Sequence, residues 1–483
     1  MQLLVIIRIL GLLLMVFSTT MLPPVLVDWI YQENAGAPFL NAFALVLFGG
    51  FLLYLPVRNH KKDLRLRDGF MVVVMFWFVL GTAGGLPFYL SDSIELSITD
   101  AIFESISGLT TTGATVIVGL DDLPHSILFY RQFLQWLGGM GIIVLAVAVL
   151  PMLGIGGMQL YRAETPGPVK DTKLTPRITE TAKALWYIYV GLTVSCGVAY
   201  WLAGMNGFDA LAHAFSTVAI GGFSTHDASM GYFNNRGIEL IAIVFMLLSG
   251  VNFALHFTAL RHKRLTPYLK DAEFGTYILV LSIVSVITIS YLYMTKTFES
   301  PVESLIEGLF QVVSIGTTTG FTTQEYHSWP GFLPVLLLYV SFIGGCAGST
   351  GGGIKVIRIL LLVKQGMREL RRLVHPSAQF AVKIGRKPVP DKVIEAVWGF
   401  FAAYFAISAL MILLLMASGL NQDTAFSAVA ACLNNLGPGL DEVGQNFSSI
   451  NDFAKWVLCL AMLLGRLEIF TLLVLLTPGF WRK

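Results

Sequence analysis

Apolar runs of about 20 residues recur from one end of the chain to the other, divided by short polar connections. A helix of that length crosses a hydrocarbon core of about 30 Å. The first run, Ile9 to Leu26, has only Arg8 as a charged start and no A-x-A site behind it, so it reads as a membrane helix and not as a signal peptide. A second follows from Phe39 to Leu55. Beyond this pair one pattern comes four times: a long apolar span, an outward segment too short to cross, a glycine, then another span. Short apolar segments of this kind read as re-entrant. The expected fold is all-α and membrane-integral, with four pseudo-symmetric repeats of helix, pore loop and helix around one central pore. These repeats occupy residues 69–160, 180–262, 272–375 and 391–483, behind an accessory helix pair in residues 1–57.

The short segments share a spacing. Asp100 precedes Gly113 by thirteen residues (113 − 100), as Asp209 precedes Gly222 (222 − 209) and Glu307 precedes Gly320 (320 − 307). The fourth interval, Asp423 to Gly437, is one longer (437 − 423 = 14). An acid at the start suits a helix N-terminus, which makes each segment a candidate pore helix. Its C-terminal end then brings about half a negative charge toward a cation at the membrane centre. The threads that follow are the candidate ion ligands, through backbone carbonyls that replace a hydration shell: Thr111, Thr112 and Gly113; Ile220, Gly221 and Gly222; Thr318, Thr319 and Gly320; Asn435, Leu436 and Gly437. Turning successive carbonyls toward an axis calls for φ > 0, which glycine adopts cheaply, and irregular backbone at membrane depth survives only where it lines a cavity or is buried in protein. The alternative, four ordinary glycine turns, gives no reason for the matched spacing.

Composition agrees with a bilayer. Of 483 residues 55% are hydrophobic and 13% charged, and mean hydropathy is +0.71, too apolar for a soluble globule. Basic residues gather in alternate connections: Arg58 to Arg67, Arg162 to Lys183, Arg261 to Lys270, Lys355 to Lys392, and the C-terminal Arg482 and Lys483. The positive-inside rule puts these in the cytoplasm and the acidic connections outside, giving about ten crossings with both termini inside. A net charge of +2 offers nothing to nucleic acid. Cys196, Cys346, Cys432 and Cys459 lie in apolar segments without a CxxC pair, against both a disulfide framework and a thiolate metal site. With no Walker motif, phosphorylation aspartate or nucleophile constellation, the chain reads as neither an enzyme nor the holder of an organic cofactor. A carrier built on inverted repeats would duplicate blocks of several spans, and not four short loops.

Two features lie below the threads. Gly344 to Gly353 interrupts the second span of the third repeat, dividing it into Phe332 to Ile343 and Ile354 to Val363. No helix keeps its form through that many glycines, at about 1 kcal/mol each. Gly345, Cys346, Ala347, Gly348, Ser349, Thr350, Gly351, Gly352 and Gly353 therefore form a candidate gate; the alternative is a close-packing surface for neighbouring helices. The order GxxxxGK[ST] is absent, so this is no phosphate loop, and Lys355 at its inward end joins the positive-inside set. Arg466, within the last span, is a candidate barrier: a guanidinium about 8 Å from the axis repels a monovalent cation by about 2 kcal/mol at an effective dielectric of about 20. Alternatively it pairs with an acid or a loop carbonyl and holds the thread or the loop in place. His213 and His226 flank the second thread, but with no carboxylate or second histidine at ligand spacing they do not read as a metal site. The basic stretch Lys364 to Lys392 is suited to an acidic partner or to membrane lipid; the alternative is that most of it is topology signal alone.

The strings TTTGAT, AIGGFSTHDAS, TTTGFTT, GGCAGSTGGGIKVIR, NNLGPG and GRLE resemble those of the Trk/Ktr/HKT superfamily of potassium transporters, and most closely its bacterial TrkH branch, over essentially the whole chain. The resemblance implies K+ as the transported ion, a pseudo-fourfold pore, a homodimer, and a cytosolic ring of RCK-type nucleotide-binding regulatory subunits at a bacterial inner membrane. The chain departs from the TVGYG signature of simple potassium channels: only the fourth copy has a second glycine two residues on, Gly439. Fewer turned carbonyls and weaker discrimination against sodium are expected.

Overall fold

The computed structural model describes residues 2–60, 64–141, 178–385 and 387–482. Among these residues, six helices are long and apolar enough to cross a bilayer: Leu3–Tyr31, Ala37–Val57, Arg67–Tyr89, Lys183–Leu202, Ala272–Met294 and Asp391–Ala417. The first two are the N-terminal pair and the other four open the repeats. The one strand pairing among the described residues is a two-residue ladder, Lys383–Ile384 with Lys387–Pro388. Cys196, Cys346, Cys432 and Cys459 are all buried and unbridged.

Among the described residues the second helices of the second, third and fourth repeats are broken, so they do not add continuous spans to those six. In the second repeat Arg236–Ser249 and Phe253–His262 meet at 95°, and in the fourth Asp452–Arg466 and Phe470–Leu476 meet at 114°. The third divides into Leu333–Ile343 and Val356–Val374 around the glycine run. In the first, His125–Trp136 passes into a π-turn, Leu137–Gly141; the expected remainder to residue 160 and the basic connection from Arg162 lie outside the described residues. Breakage is thus not special to the third repeat, as its glycine count implied. In the fourth repeat the break is made by Glu468 and Ile469, both left-handed at φ 52° and 57°, which no propensity scale marks as breakers.

The pore helices are Ile98–Leu109, Gly207–Ala219, Pro301–Gly316 and Gln422–Leu433. At 1.5 Å per residue the longest, with 16 residues, reaches about 24 Å, short of a full crossing. Side chains just outside the first turn cap all four: Ser97 accepts from Asp100 N, Asn206 from Asp209 N, Ser300 from Val302 N and Asn421 from Thr424 N. The Ser300-Pro301 pair starts the third helix six residues before Glu307 (307 − 301), so this acid lies inside the helix and not at its tip.

The N-terminal pair leans on glycine. A Cβ on Gly50 would lie 2.8 Å from the Gly11 carbonyl oxygen and 2.9 Å from Met15 N, whereas one on the adjacent Gly49 would meet nothing within 4 Å. Small residues let these backbones touch. Gly50→Leu should cost about 1–3 kcal/mol by overpacking and lower the thermal unfolding temperature in detergent, while Gly49→Leu should leave it unchanged.

Candidate functional site

Each pore helix ends in the same way. The residue after the last turn is left-handed, at φ 55° in Thr111, 54° in Ile220, 68° in Thr318 and 53° in Asn435. Its N–H reaches three residues back, to Gly108, Thr217, Ile315 and Cys432. The next N–H reaches five back: Thr112 to Ser107, Gly221 to Ser216, Thr319 to Ser314 and Leu436 to Ala431, at 2.7–2.8 Å. This pair of bonds is a Schellman motif, which satisfies carbonyls the helix end leaves open. Two residues on, the thread glycine is left-handed again, at φ 84° in Gly113, 81° in Gly222, 83° in Gly320 and 100° in Gly437. Alternation of left-handed residues therefore exists in all four copies. The premise that glycine alone turns the thread is corrected, since two Schellman bonds hold a non-glycine residue in a conformation costing about 1–2 kcal/mol.

The four threads close a ring. A Cβ on Gly113 would overlap the Gly221 carbonyl oxygen, one on Gly222 that of Thr319, one on Gly320 that of Leu436, and one on Gly437 would lie 2.7 Å from that of Thr112. Each glycine thus abuts the carbonyl of the residue before the next glycine, in the order first, second, third, fourth, first. Above the ring opens a cavity of about 420 Å³ whose lining includes all four glycines, His226, Glu325 and His327.

Behind the ring each outgoing strand is braced by its own pore helix. Thr225 Oγ1 donates to Asp209 at 2.7 Å and Thr323 Oγ1 to Glu307 at 2.5 Å, each pair sixteen residues apart. In the second and third repeats the interval from acid to glycine thus has a use beyond the helix dipole, since it lets the acid reach a hydroxyl three residues past the glycine. In the first repeat Glu104 replaces it, accepting from Thr115 Oγ1 and Val116 N at 3.0 Å. Arg131 pairs with Glu104 at 2.8 Å with side-chain exposures of 1% and 0%, and carries the contact into the second repeat by donating to Ser224 O at 2.9 Å. Arg131 also lies 4.3 Å over the Phe223 ring. Neither member was among the sequence candidates, although an ionisable residue within an apolar segment is the signal that singled out Arg466.

The candidate gate residues lie against the underside of the threads. Gly352 N donates to Thr318 Oγ1 at 2.7 Å, Gly353 N to Asn434 O at 3.0 Å, and Thr350 Oγ1 to Val218 O at 3.0 Å. The second repeat's break holds the loop's other flank, through Cys346 N to Gly250 O at 2.9 Å and Phe253 N to Gly348 O at 3.0 Å. Ala347 N and Ile357 N both donate to the Glu273 carboxylate. Arg466 donates to Thr111 Oγ1 at 3.1 Å, Thr350 O at 3.2 Å, Gly139 O at 2.9 Å and Gly138 O, joining the first thread, the loop and the π-turn. Lys355 is only 9% exposed and donates to Gly351 O, so its charge is held by the loop.

In the cavity above the ring, His226 is not without carboxylates. Folding brings Asp121 to Nδ1 at 2.5 Å and Asp209 to Nε2 at 3.3 Å, from 105 and 17 residues away, while His213 hydrogen-bonds with Ser224 and the Asp209 carbonyl. Among the described residues no three His, Cys, Asp or Glu side chains are grouped to hold a metal ion. Burial alone would pull the His226 imidazole down, but its hydrogen bonds to Asp209 and Asp121, and their charges, outweigh this and hold it above the ordinary 6.5.

The family described as TrkH, cation transport protein, matches residues 35–482. The Trk system potassium uptake protein TrkH of Vibrio parahaemolyticus is 61% identical over 480 residues, covering 99% of both chains. TrkH of Escherichia coli K12 is 57% identical over 476 residues, again covering 99% of both, and TrkG of the same strain is 43% identical over 473 residues, covering 98% of this chain and 97% of its own. A crystal structure of the potassium transporter TrkH from Vibrio parahaemolyticus superposes with TM-score 0.91 at 58% identity, covering 100% of each chain.

Glu104→Gln leaves Arg131 buried without its countercharge and should cost about 3–5 kcal/mol, read as thermal unfolding in detergent, whereas the paired change Glu104→Leu with Arg131→Met should recover most of that. His226, raised on folding, contributes stability that is complete below pH 6.5 and lost as pH climbs through its folded value. Wild-type protein should therefore melt at lower temperature above that window than below it, and His226→Gln should abolish this difference.

Proposed function

Because the chain belongs to the TrkH family of cation transport proteins, we propose that it carries potassium into a bacterial cell through a channel-like pore filtered by the carbonyls of the four threads. The observation that carries this reading is the closed ring of Gly113, Gly222, Gly320 and Gly437, with a pore helix ending behind each. Four helix C-termini aimed at one point favour a cation there, and alternating left-handed residues allow consecutive carbonyls to replace its water. The relatives' names, potassium uptake and potassium transporter, supply the ion. At a membrane potential of about 150 mV, inside negative, each entering K+ gains about 3.5 kcal/mol, enough to drive uptake without chemical fuel.

In this reading the loop from Gly345 to Gly353 is the gate: it lies across the path beneath the threads, and its own hydrogen bonds would have to be exchanged to clear the way. Arg466, at the junction of thread and loop, adds a positive barrier to passing cations. The protein sits in the bacterial inner membrane with both termini in the cytoplasm, works as a homodimer, and takes its regulation from a cytosolic RCK-type nucleotide-binding ring, to which the basic segment Lys364 to Lys392 is suited. Discrimination against sodium is weaker than in a filter of four identical strands, because Thr-Thr-Gly, Ile-Gly-Gly and Asn-Leu-Gly present unequal surroundings to the ion.

Reconstitution in proteoliposomes tests the filter: potassium, rubidium, sodium and lithium fluxes, with Gly113, Gly222, Gly320 and Gly437 each changed to Ala. Each change should lower the K+/Na+ ratio by about tenfold, the equivalent of about 1.4 kcal/mol. An unaltered ratio in all four variants would overturn the filter. Arg466→Gln should raise K+ flux, by at most about thirtyfold for a barrier of about 2 kcal/mol. A fall in flux with collapsed selectivity would assign Arg466 to holding the loop.

A further inference from the structure

The second thread differs from the others in its middle residue, which is Gly221 where the rest have Thr112, Thr319 and Leu436. Conformation does not demand this glycine, since Gly221 is absent from the positive-φ residues that include Gly222 beside it. Space does. A Cβ on Gly221 would overlap Cδ and Oε1 of Gln135 and lie 2.8 Å from Nε2. Gln135 belongs to the second helix of the first repeat, is fully buried, and uses both ends of its amide on this one strand. Nε2 donates to the Gly221 carbonyl at 2.5 Å, and Oε1 accepts from Phe223 N at 3.1 Å. Among the described residues, no other carbonyl of the four threads accepts from a side chain. The oxygen so engaged belongs to the ring itself, the one a Cβ on Gly113 would overlap.

We propose that Gln135 is a specificity-determining positioning residue of the pore, setting the direction and strength of the Gly221 carbonyl as a cation ligand. The proposal rests on the threads being the filter. An N–H aimed at a carbonyl oxygen occupies a lone pair and brings partial positive charge to the ion's ligand, so the second strand offers a weaker field than its three neighbours. A weaker field favours the cation that loses less on dehydration, which is potassium over sodium. The second contact, to Phe223 N, fixes the strand on the other side of Gly222, so the carbonyl cannot swing inward to close on a smaller ion. Both effects act in the same direction, and both require the glycine that makes room for the amide.

The test measures K+/Na+ permeability ratios in proteoliposomes for Gln135→Met, which keeps much of the volume but loses both polar contacts, beside Gly113→Ala and Gly320→Ala. Gln135→Met should lower the ratio about fivefold, the equivalent of about 1 kcal/mol. A changed ratio in the two glycine variants with an unchanged ratio in Gln135→Met overturns the proposal and leaves the filter standing. Unchanged ratios in all three overturn both. Should Gln135→Met fail to assemble, Gln135→Leu likewise removes the donor with an apolar side chain of similar size; a wild-type ratio there overturns the proposal equally. A merely structural role predicts that Gly221→Ala with Gln135→Ala, which trades one side chain's volume for another, restores the ratio. Restored assembly with a ratio still depressed supports the donor.

Discussion

Backbone that leaves the helix inside a bilayer must find partners within the protein, and nearly every feature of this molecule follows from how its non-helical segments do so. The threads are satisfied locally, by Schellman bonds that the pore helices carry into the ring. The broken second helices are satisfied by one another. Gly250 O, exposed where the second repeat bends, is taken by Cys346 N of the third repeat's loop, and Gly348 O in that loop is taken by Phe253 N, at the start of the second repeat's next helix. Asn434 O, at the end of the fourth pore helix, is taken by Gly353 N. Loop and threads therefore share hydrogen-bonding partners, and a movement of either frees groups in the other.

Four unequal repeats on one chain lack the identical interfaces that would hold a symmetric ring, and a different polar tie serves at each junction. Between first and second it is Arg131, buried and paired with Glu104 while donating to Ser224 O. Between third and fourth, Arg358 meets Glu468 and stacks 4.2 Å over Phe400. Between fourth and first, Lys455 meets Asp100 at 2.7 Å with 6% side-chain exposure. The second and third are joined by Arg236 and Glu303 at 3.7 Å, both exposed, by a backbone bond from Gly231 N to Thr322 O at 3.2 Å, and by the loop bonds at Gly250 and Gly348. Surface pairs contribute about 0–1 kcal/mol, while loss of one buried partner costs several, so the second junction is the weakest electrostatically and leans on its backbone bonds instead.

What was legible in the sequence was what is encoded locally. Run length gave the spans, matched spacing gave the pore helices and threads, and a dense glycine run gave the loop. Partnerships across repeats carry no periodicity and were not legible: Gln135 is 86 residues from Gly221, and Asp121 is 105 from His226. The breaks at Gly250 and at Glu468 escaped for a related reason, since they depend on partners waiting in another repeat and not on a breaker in place. Lys355 was read only as a member of the positive-inside set; that the loop's own Gly351 carbonyl accepts from it depends on the fold of the loop. Arg131 and Glu104 are different, because the rule that marked Arg466 applies to them and needs no structure.

Inequality among the copies also changes what the ring can be. In a homotetramer any device that tunes one strand tunes all four, so a donor aimed at a filter carbonyl would weaken an entire layer of ligands. Here the first strand is touched by Arg466 and by Asn435, whose Nδ2 donates to Thr112 Oγ1 at 2.9 Å; the second is clasped by Gln135; the third meets the loop through Thr318. These three strands thus answer to different neighbours. A conformational change in the loop reaches the first strand through Arg466, the third through Thr318 and the end of the second pore helix through Thr350, which donates to Val218 O, while the second strand itself is held by a helix of the first repeat. A shift of the loop is then felt unequally around the ring, which one contact repeated four times would not permit.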